Sequence, residues 1–218
     1  MADEKRPYQK KRRAELEEET RRRITESAVE LHGTLGPART SMSAVAENAG
    51  VRRSTLYRHF PDEAALFEAC SSHWRAANPP PDPRTWAAIA DADQRLRVAL
   101  GELYADYRRT EPMRSNLLRD EATHTITARL MRGWHEYLAA ARDVLMDGRT
   151  DRGRPRARIQ AAIGHALAFA TWRSLAIEQD LDDNDAAELM CRLVAAAAAG
   201  SGQRSSQARR RAPTTTAK

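Results

Sequence analysis

Arg52, Arg53, Ser54, Thr55, Tyr57, Arg58 and His59 crowd into one short stretch. This mixture of cations, hydroxyls and an imidazole suits hydrogen bonding along a nucleic-acid duplex. An arginine fork pairs bidentately with guanine, and the Thr55 methyl can meet a thymine methyl. Tyr57 and Ser41 suit phosphate oxygens, which position a protein on a duplex without reading its sequence. With Ser43 these residues make up the candidate DNA-facing set. No group of similar density points to catalysis. The chain lacks G-x-S-x-G, H-E-x-x-H, G-x-x-x-x-G-K-S/T and C-x-x-C, so no enzyme, cofactor or metal is expected. Asp120 and His124, four apart, could share a metal, but a capping acid and a helical i,i+4 pair explain them equally well.

Two short amphipathic segments must hold the candidate set in place. Met42, Val45, Ala46 and Ala49 recur at three- and four-residue spacing and so share one helical face. Ser41 is placed as that helix's N-cap. Gly50 sits where a tight two-helix turn needs positive φ. In the second segment Val51, Leu56 and Phe60 are predicted to turn inward, leaving Arg53, Ser54, Thr55, Arg58 and His59 on the remaining faces. That is the layout of a recognition helix in a major groove.

At Thr40, Ser41, Val45, Ala46, Ala49, Gly50, Val51, Thr55, Leu56, Tyr57, His59 and Phe60 the chain resembles the TetR family of bacterial transcriptional regulators. The resemblance is carried by residues 22–74; the remainder agrees only in length and helical layout. Three positions depart from the family pattern. Arg52 replaces a serine N-cap, a change that costs the helix roughly 1 kcal/mol of capping and adds a cation. Ser54 replaces a glycine. Glu63 stands where the family often has a phosphate-binding lysine, so no phosphate contact is carried over to it.

Composition bounds the rest. Abundant alanine and arginine with few β-branched and aromatic residues favour an all-α chain. At 218 residues there is room for a small and a larger domain. The formal charge of +6 is concentrated at the ends: +3 in residues 1–23 and +5 in 200–218, leaving −2 between. Basicity therefore says little about the folded body, and DNA binding rests on the motif. Cys70 and Cys191 have no metal or redox spacing. MADEKRPYQKKRR lacks the apolar core of a signal peptide, and no apolar run is long enough to span a bilayer. A cytoplasmic protein without a membrane partner is the expectation.

The expected organisation is a basic disordered arm at 1–19, a helix-turn-helix domain with its connecting helix at 20–74, a helical ligand-binding and dimerisation domain at 75–199, and a disordered basic tail at 200–218. In the arm, Lys10, Lys11, Arg12 and Arg13 are either solvated or reach phosphates or the minor groove beside the recognition helix. Helices are predicted from Thr20 to Leu35, from Asp62 to Trp74 and from Arg84 to Thr110, where Glu111-Pro112 ends the run. Others follow over Pro112–Arg119, Glu121–Met146, Arg156–Gln179 and Asp185–Ala199. Arg152-Gly153-Arg154-Pro155 has the composition of an AT-hook, but an ordinary interhelical loop accounts for it.

The resemblance implies a homodimer that pairs through the last two helices, which are rich in small residues. It also implies a palindromic double-stranded DNA operator and release by a small-molecule effector. Candidate effector contacts are Trp86, Tyr104, Tyr107, Asn116, His124, Trp134, Tyr137 and Trp172, each of which would serve equally as plain core. Two other classes fit the residues less completely: a nonspecific, charge-driven nucleic-acid-binding protein, and a small-molecule-binding protein or enzyme with a vestigial DNA head.

Overall fold

The computed structural model describes residues 5–199. Residues 200–218, expected as a basic tail, lie outside that range. Among the described residues every regular element is helical: α1 (Lys5–Thr34), a 3-10 turn (Pro37–Arg39), α2 (Met42–Asn48), α3 (Arg53–His59), α4 (Glu63–Ala77), α5 (Pro83–Ala87), α6 (Ala92–Glu121), α7 (Thr125–Met146), α8 (Gly153–Leu167), α9 (Phe169–Arg173), a π turn (Ser174–Glu178) and α10 (Asp183–Ala199). They group into two compact units. One comprises residues up to Pro80 with Thr110–Gly133, the other Pro81–Arg109 with the chain from Trp134 on.

The first unit is built on Ile24, Ala28, Val45, Ala46, Ala49, Leu56, Phe60, Leu66 and Cys70, all buried. Each large side chain here contributes about 1.5–3 kcal/mol by leaving water. Its helices begin where short polar side chains can accept the first amides. Ser41 Oγ accepts from Ala44 N at 3.1 Å, and Asp62 Oδ1 from Ala65 N at 2.8 Å. Helix α1 ends at Gly36, whose φ is +94°. A side chain at Gly36 would collide with the Arg119 guanidinium and stand 2.6 Å from Asp120 Oδ2.

Four sequence expectations need correction. Residues 5–19 are helical and continue α1, where a disordered arm was expected. Alanine, glutamate and the long cations are strong helix formers, and Arg13 pairs with Glu17 at i,i+4. Leu35, expected as the last residue of the first helix, lies beyond its last turn and is exposed. The expected helix from Arg84 to Thr110 is interrupted, because α6 starts only at Ala92. Asp91 Oδ1 caps it, accepting from Asp93 N and Gln94 N. The helix then runs through Pro112 to Glu121. Proline removes one backbone bond, and contacts of the turns after it, described below, hold the helix on. Finally, the expected helix 156–179 breaks at Ala168, an extended residue (φ −71°, ψ 132°), and ends in the π turn.

The second unit encloses Trp86, Leu96, Leu100, Leu103, Tyr104, Tyr107, Leu145, Ile159, Ile163 and Trp172. The break at Ala168 frees carbonyls of α8, and two buried tyrosines meet them. Tyr104 Oη donates to Ala166 O at 2.9 Å and Tyr107 Oη to Leu167 O at 2.6 Å. Buried Arg95 works in the same way at other chain ends, donating to Ile89 O, Val144 O and Asp147 O. Gly153, Arg154 and Pro155 open α8, so the AT-hook look-alike is partly helical. At α10, Asp182 Oδ1 accepts from Asn184 N and Asp185 N.

Candidate nucleic-acid interface

The turn between α2 and α3 follows from local chemistry. Val51 N donates to Ala46 O at 2.9 Å while Gly50 takes φ +63°, a conformation that favours a residue without Cβ. Helix α3 then starts at Arg53 with Arg52 as N-cap, and no side chain caps it. The lost serine cap is therefore real. Leu56 and Phe60 are fully buried, whereas Arg52, Arg53, Ser54, Tyr57 and Arg58 are exposed and Thr55 is half-buried. Among the described residues no acid forms an ion pair with Arg52, Arg53 or Arg58. Three unneutralised guanidiniums on a helix anchored from behind make a surface suited to a polyanion.

Ser41 is exposed and Ser43 half-buried at the start of α2. The Ser41 hydroxyl accepts from Ala44 N and can still donate outward. His59 differs from its neighbours. It is half-buried, and its Nε2 is covered with no hydrogen-bond partner. Burial first, then the cations of Arg58 and Arg21, lower its pKa, against the opposing pull of Glu17 and Glu18. The ring therefore stays neutral near pH 7.

Several residues that set this geometry were not given that role from sequence. Arg21 Nη1 donates to His59 O at 3.0 Å and its guanidinium stacks 4.3 Å from the centre of the Phe60 ring. A cation there also suits the negative end of α3. Ser27 Oγ donates to Val45 O, and Asn48 Nδ2 donates to both Ser27 Oγ and Glu30 Oε2, joining α2 to α1. The unpaired carbonyls at the end of α1 are met from the turns after Pro112. Asn116 Nδ2 donates to His32 O and Gly33 O, and Arg119 Nη2 donates to Leu35 O. Asp120 Oδ2 accepts from Ala38 N at 3.0 Å. Only the composition of N-L-L-R-D, rich in groups that bond backbone, hinted at this.

Asp120 and His124 do not converge on a metal position. Asp120 is bound to Ala38 N and Arg119, whereas His124 Nε2 meets Glu63 Oε1 at 3.2 Å and its Nδ1 meets Thr127 Oγ1 at 2.8 Å. Among the described residues no three His, Cys, Asp or Glu side chains are grouped to hold a metal ion. Glu63, the departure from the family's lysine, is thus engaged by His124.

The candidate effector residues divide between the units. Asn116 and His124 belong to the first; Trp86, Tyr104, Tyr107, Trp134, Tyr137 and Trp172 belong to the second. There Tyr107 is the hub, with ring centres of Tyr104, Trp134, Phe169 and Trp172 5.3–6.2 Å away. Tyr137 stacks on Trp134 and its hydroxyl donates to Pro81 O. Trp86 Nε1 donates to Glu102, and Trp172 Nε1 to Asp183. Phe169 completes this cluster and was not named from sequence.

An all-α chain with a capped helix, a glycine turn and an outward cationic second helix is a helix-turn-helix DNA-binding protein. The family is TetR. Residues 24–70 match the family model described as bacterial regulatory proteins, tetR family. The fold is shared with a TetR-like transcriptional regulator from Rhodococcus sp. RHA1, with a TM-score of 0.61 and 20% identity over 83% of this chain and 96% of that one. A tetR-family transcriptional regulator from Streptomyces coelicolor is similar at a TM-score of 0.53 and 21% identity, covering 88% of each chain. No curated protein matches the sequence significantly. Among the described residues no helix is long and apolar enough to cross a membrane.

Proposed function

We propose that this regulator is a homodimeric repressor that binds a palindromic operator and is released by a small-molecule effector. The observation that carries the DNA reading is the exposed, unpaired set of Arg52, Arg53 and Arg58 at a helix anchored in the core through Leu56 and Phe60. Residues 20–74 read the DNA in this account, while helices within 75–199 supply the dimer contact and the effector site. Two recognition helices would enter successive major grooves about 34–36 Å apart.

Helix α10 supports the dimer. Leu189 and Leu193, one turn apart, are both more than two-fifths exposed beside an alanine run, the kind of apolar stripe a second copy covers. The aromatic cluster around Tyr107 supports an apolar or aromatic effector. Such a molecule shifts the DNA-binding equilibrium only if it prefers one conformation over the other. The protein acts in the cytoplasm in this account and has no catalytic role.

Selection of bound fragments from genomic DNA, followed by footprinting of variants, tests the reading. Arg53→Ala relaxes discrimination at one or two base positions by about 1–3 kcal/mol, while Tyr57→Ala weakens all sequences about alike. Unaltered footprint specificity in Arg53→Ala would remove Arg53 from the reading set. Parent protein with less than about a thousandfold preference for its best site would favour nonspecific coating.

A further inference from the structure

The amino-terminal half of α1 is a charged rod aimed by the DNA-binding domain. From Tyr8 to Leu31 the helix contains neither glycine nor proline, so it has no built-in hinge. At about 1.5 Å per residue, Arg13 stands about 12 Å and Lys10 about 16 Å beyond Arg21 along the axis. Residues 10, 13, 17, 21, 24 and 28, spaced by three or four, share one face.

The lower part of that face is fixed. Ile24 and Ala28 are fully buried in the helix-turn-helix core. Arg21 is held by His59 O and the Phe60 ring at the end of α3. Beyond the domain the same face offers Lys10 and Arg13, both exposed, with Arg13 reaching back to Glu17 Oε1 at 3.2 Å. Glu15, Glu18 and Glu19 lie off this face, as do Lys11 and Arg12.

We infer that this rod is a second DNA contact: Lys10 and Arg13 lie on the phosphate backbone beside the groove that α3 occupies. The inference rests on the DNA-binding reading of α3. A duplex presents one charge per about 1.7 Å of axis, so a rod leaving the end of α3 passes over several phosphates. The Arg13–Glu17 pair lies at the surface, where ion pairs are weak; a phosphate replaces the carboxylate as Arg13's partner. Backbone contacts read no bases, so the rod adds affinity and salt dependence and leaves site choice to α3.

The test compares two charge-matched full-length variants, Lys10→Gln/Arg13→Gln and Lys11→Gln/Arg12→Gln, on the selected operator over a salt series. All four side chains are exposed, and far-UV circular dichroism verifies that helix content matches the parent. If Lys10 and Arg13 each neutralise one phosphate per protomer, the first variant loses four contacts in a two-fold complex. The slope of log K against log salt then falls by about 3.6, at about 0.9 per phosphate. The parent's advantage over it consequently shrinks roughly a hundredfold between about 50 and about 200 mM salt. The second variant keeps the parent's slope to within about one unit.

Equal losses in both variants would mean diffuse attraction by the whole segment and would overturn the aimed rod. Unchanged slopes in both would overturn the contact altogether. A parent that binds no duplex would instead refute the DNA reading of α3, a result distinguishable because it appears before either variant is measured.

Discussion

In the first unit the buried polar side chains His32, Thr40, Asn116 and Asp120 bracket one short stretch of backbone. Asn116 and Asp120 bond its carbonyls and amides directly, while Thr40 Oγ1 donates to Gly36 O. In the second unit buried Arg95 also bonds backbone carbonyls, but around Tyr107 the buried polar atoms are hydroxyl and indole tips on large rings, and the volume is filled by aromatic faces. Short directional bonds admit one geometry, because any other leaves a buried group unsatisfied. Stacked rings over a broken helix depend on shape, and shape tolerates repacking better. The unit that presents α3 is thus built for a single geometry, and the unit proposed to meet an effector is built from material that can adjust.

The strongest way to break this contrast is at Tyr107. Tyr107→Ala removes a ring with four aromatic neighbours and leaves Leu167 O without its donor, and it costs about 3–5 kcal/mol in urea unfolding. Tyr107→Phe keeps the ring and costs about 1–3 kcal/mol. A loss under about 1 kcal/mol in Tyr107→Ala would show that the second unit is not organised on this cluster.

Acid sharpens the contrast. Burial first, and then the nearby His124, push His32 down to about 4, although Asp120 pulls the other way. An unfolded histidine takes up its proton near 6.5. The folded form binds fewer protons between these values, so stability is fully present above about pH 6.5 and is lost as pH falls toward about 4. In the second unit Asp183 opposes burial with bonds from Arg108 and Trp172, which hold its carboxyl below the usual carboxylate range. Its contribution is present above that range and is lost only as pH falls through the lowered value. Hydrogen exchange at pH 5 therefore shows faster opening of the first unit. His32→Gln removes that difference, flattening a loss of up to about 3 kcal/mol. Equal acid sensitivity in both units, with or without His32, would end the distinction.

Smallest are the cap effects within the helix-turn-helix. Ser41→Ala loses about 1 kcal/mol of thermal stability, and Arg52→Ser recovers about as much by supplying the cap that α3 lacks. The second change also removes a cation, so a stabilised Arg52→Ser protein with weaker DNA binding is the expected pair of readings.

What was legible in the sequence is what local chemistry decides. Ser41 and Asp62 cap their helices, Gly50 turns at positive φ, and Leu56 and Phe60 anchor α3, all within a few residues of their causes. Asp91 with Gln94 three residues on was also readable as a helix start and was passed over. The remainder was hidden because its causes are distant in the chain. Pro112 reads as a stop until Asn116 and Arg119 are seen bonding carbonyls more than eighty residues away. Nothing around Ala168 announces a break, which is satisfied by Tyr104 and Tyr107 some sixty residues earlier. The cationic set on α3 was visible in full except for His59, whose covered Nε2 depends on its packed surroundings.

At Gly36 the backbone already has φ +94°, and the space where a methyl would go belongs to Arg119 and Asp120. Even alanine there would have to evict the two side chains that finish the end of α1. A lineage carrying this arrangement cannot drift at that position one step at a time; glycine and the Arg119–Asp120 pair must persist or be replaced together.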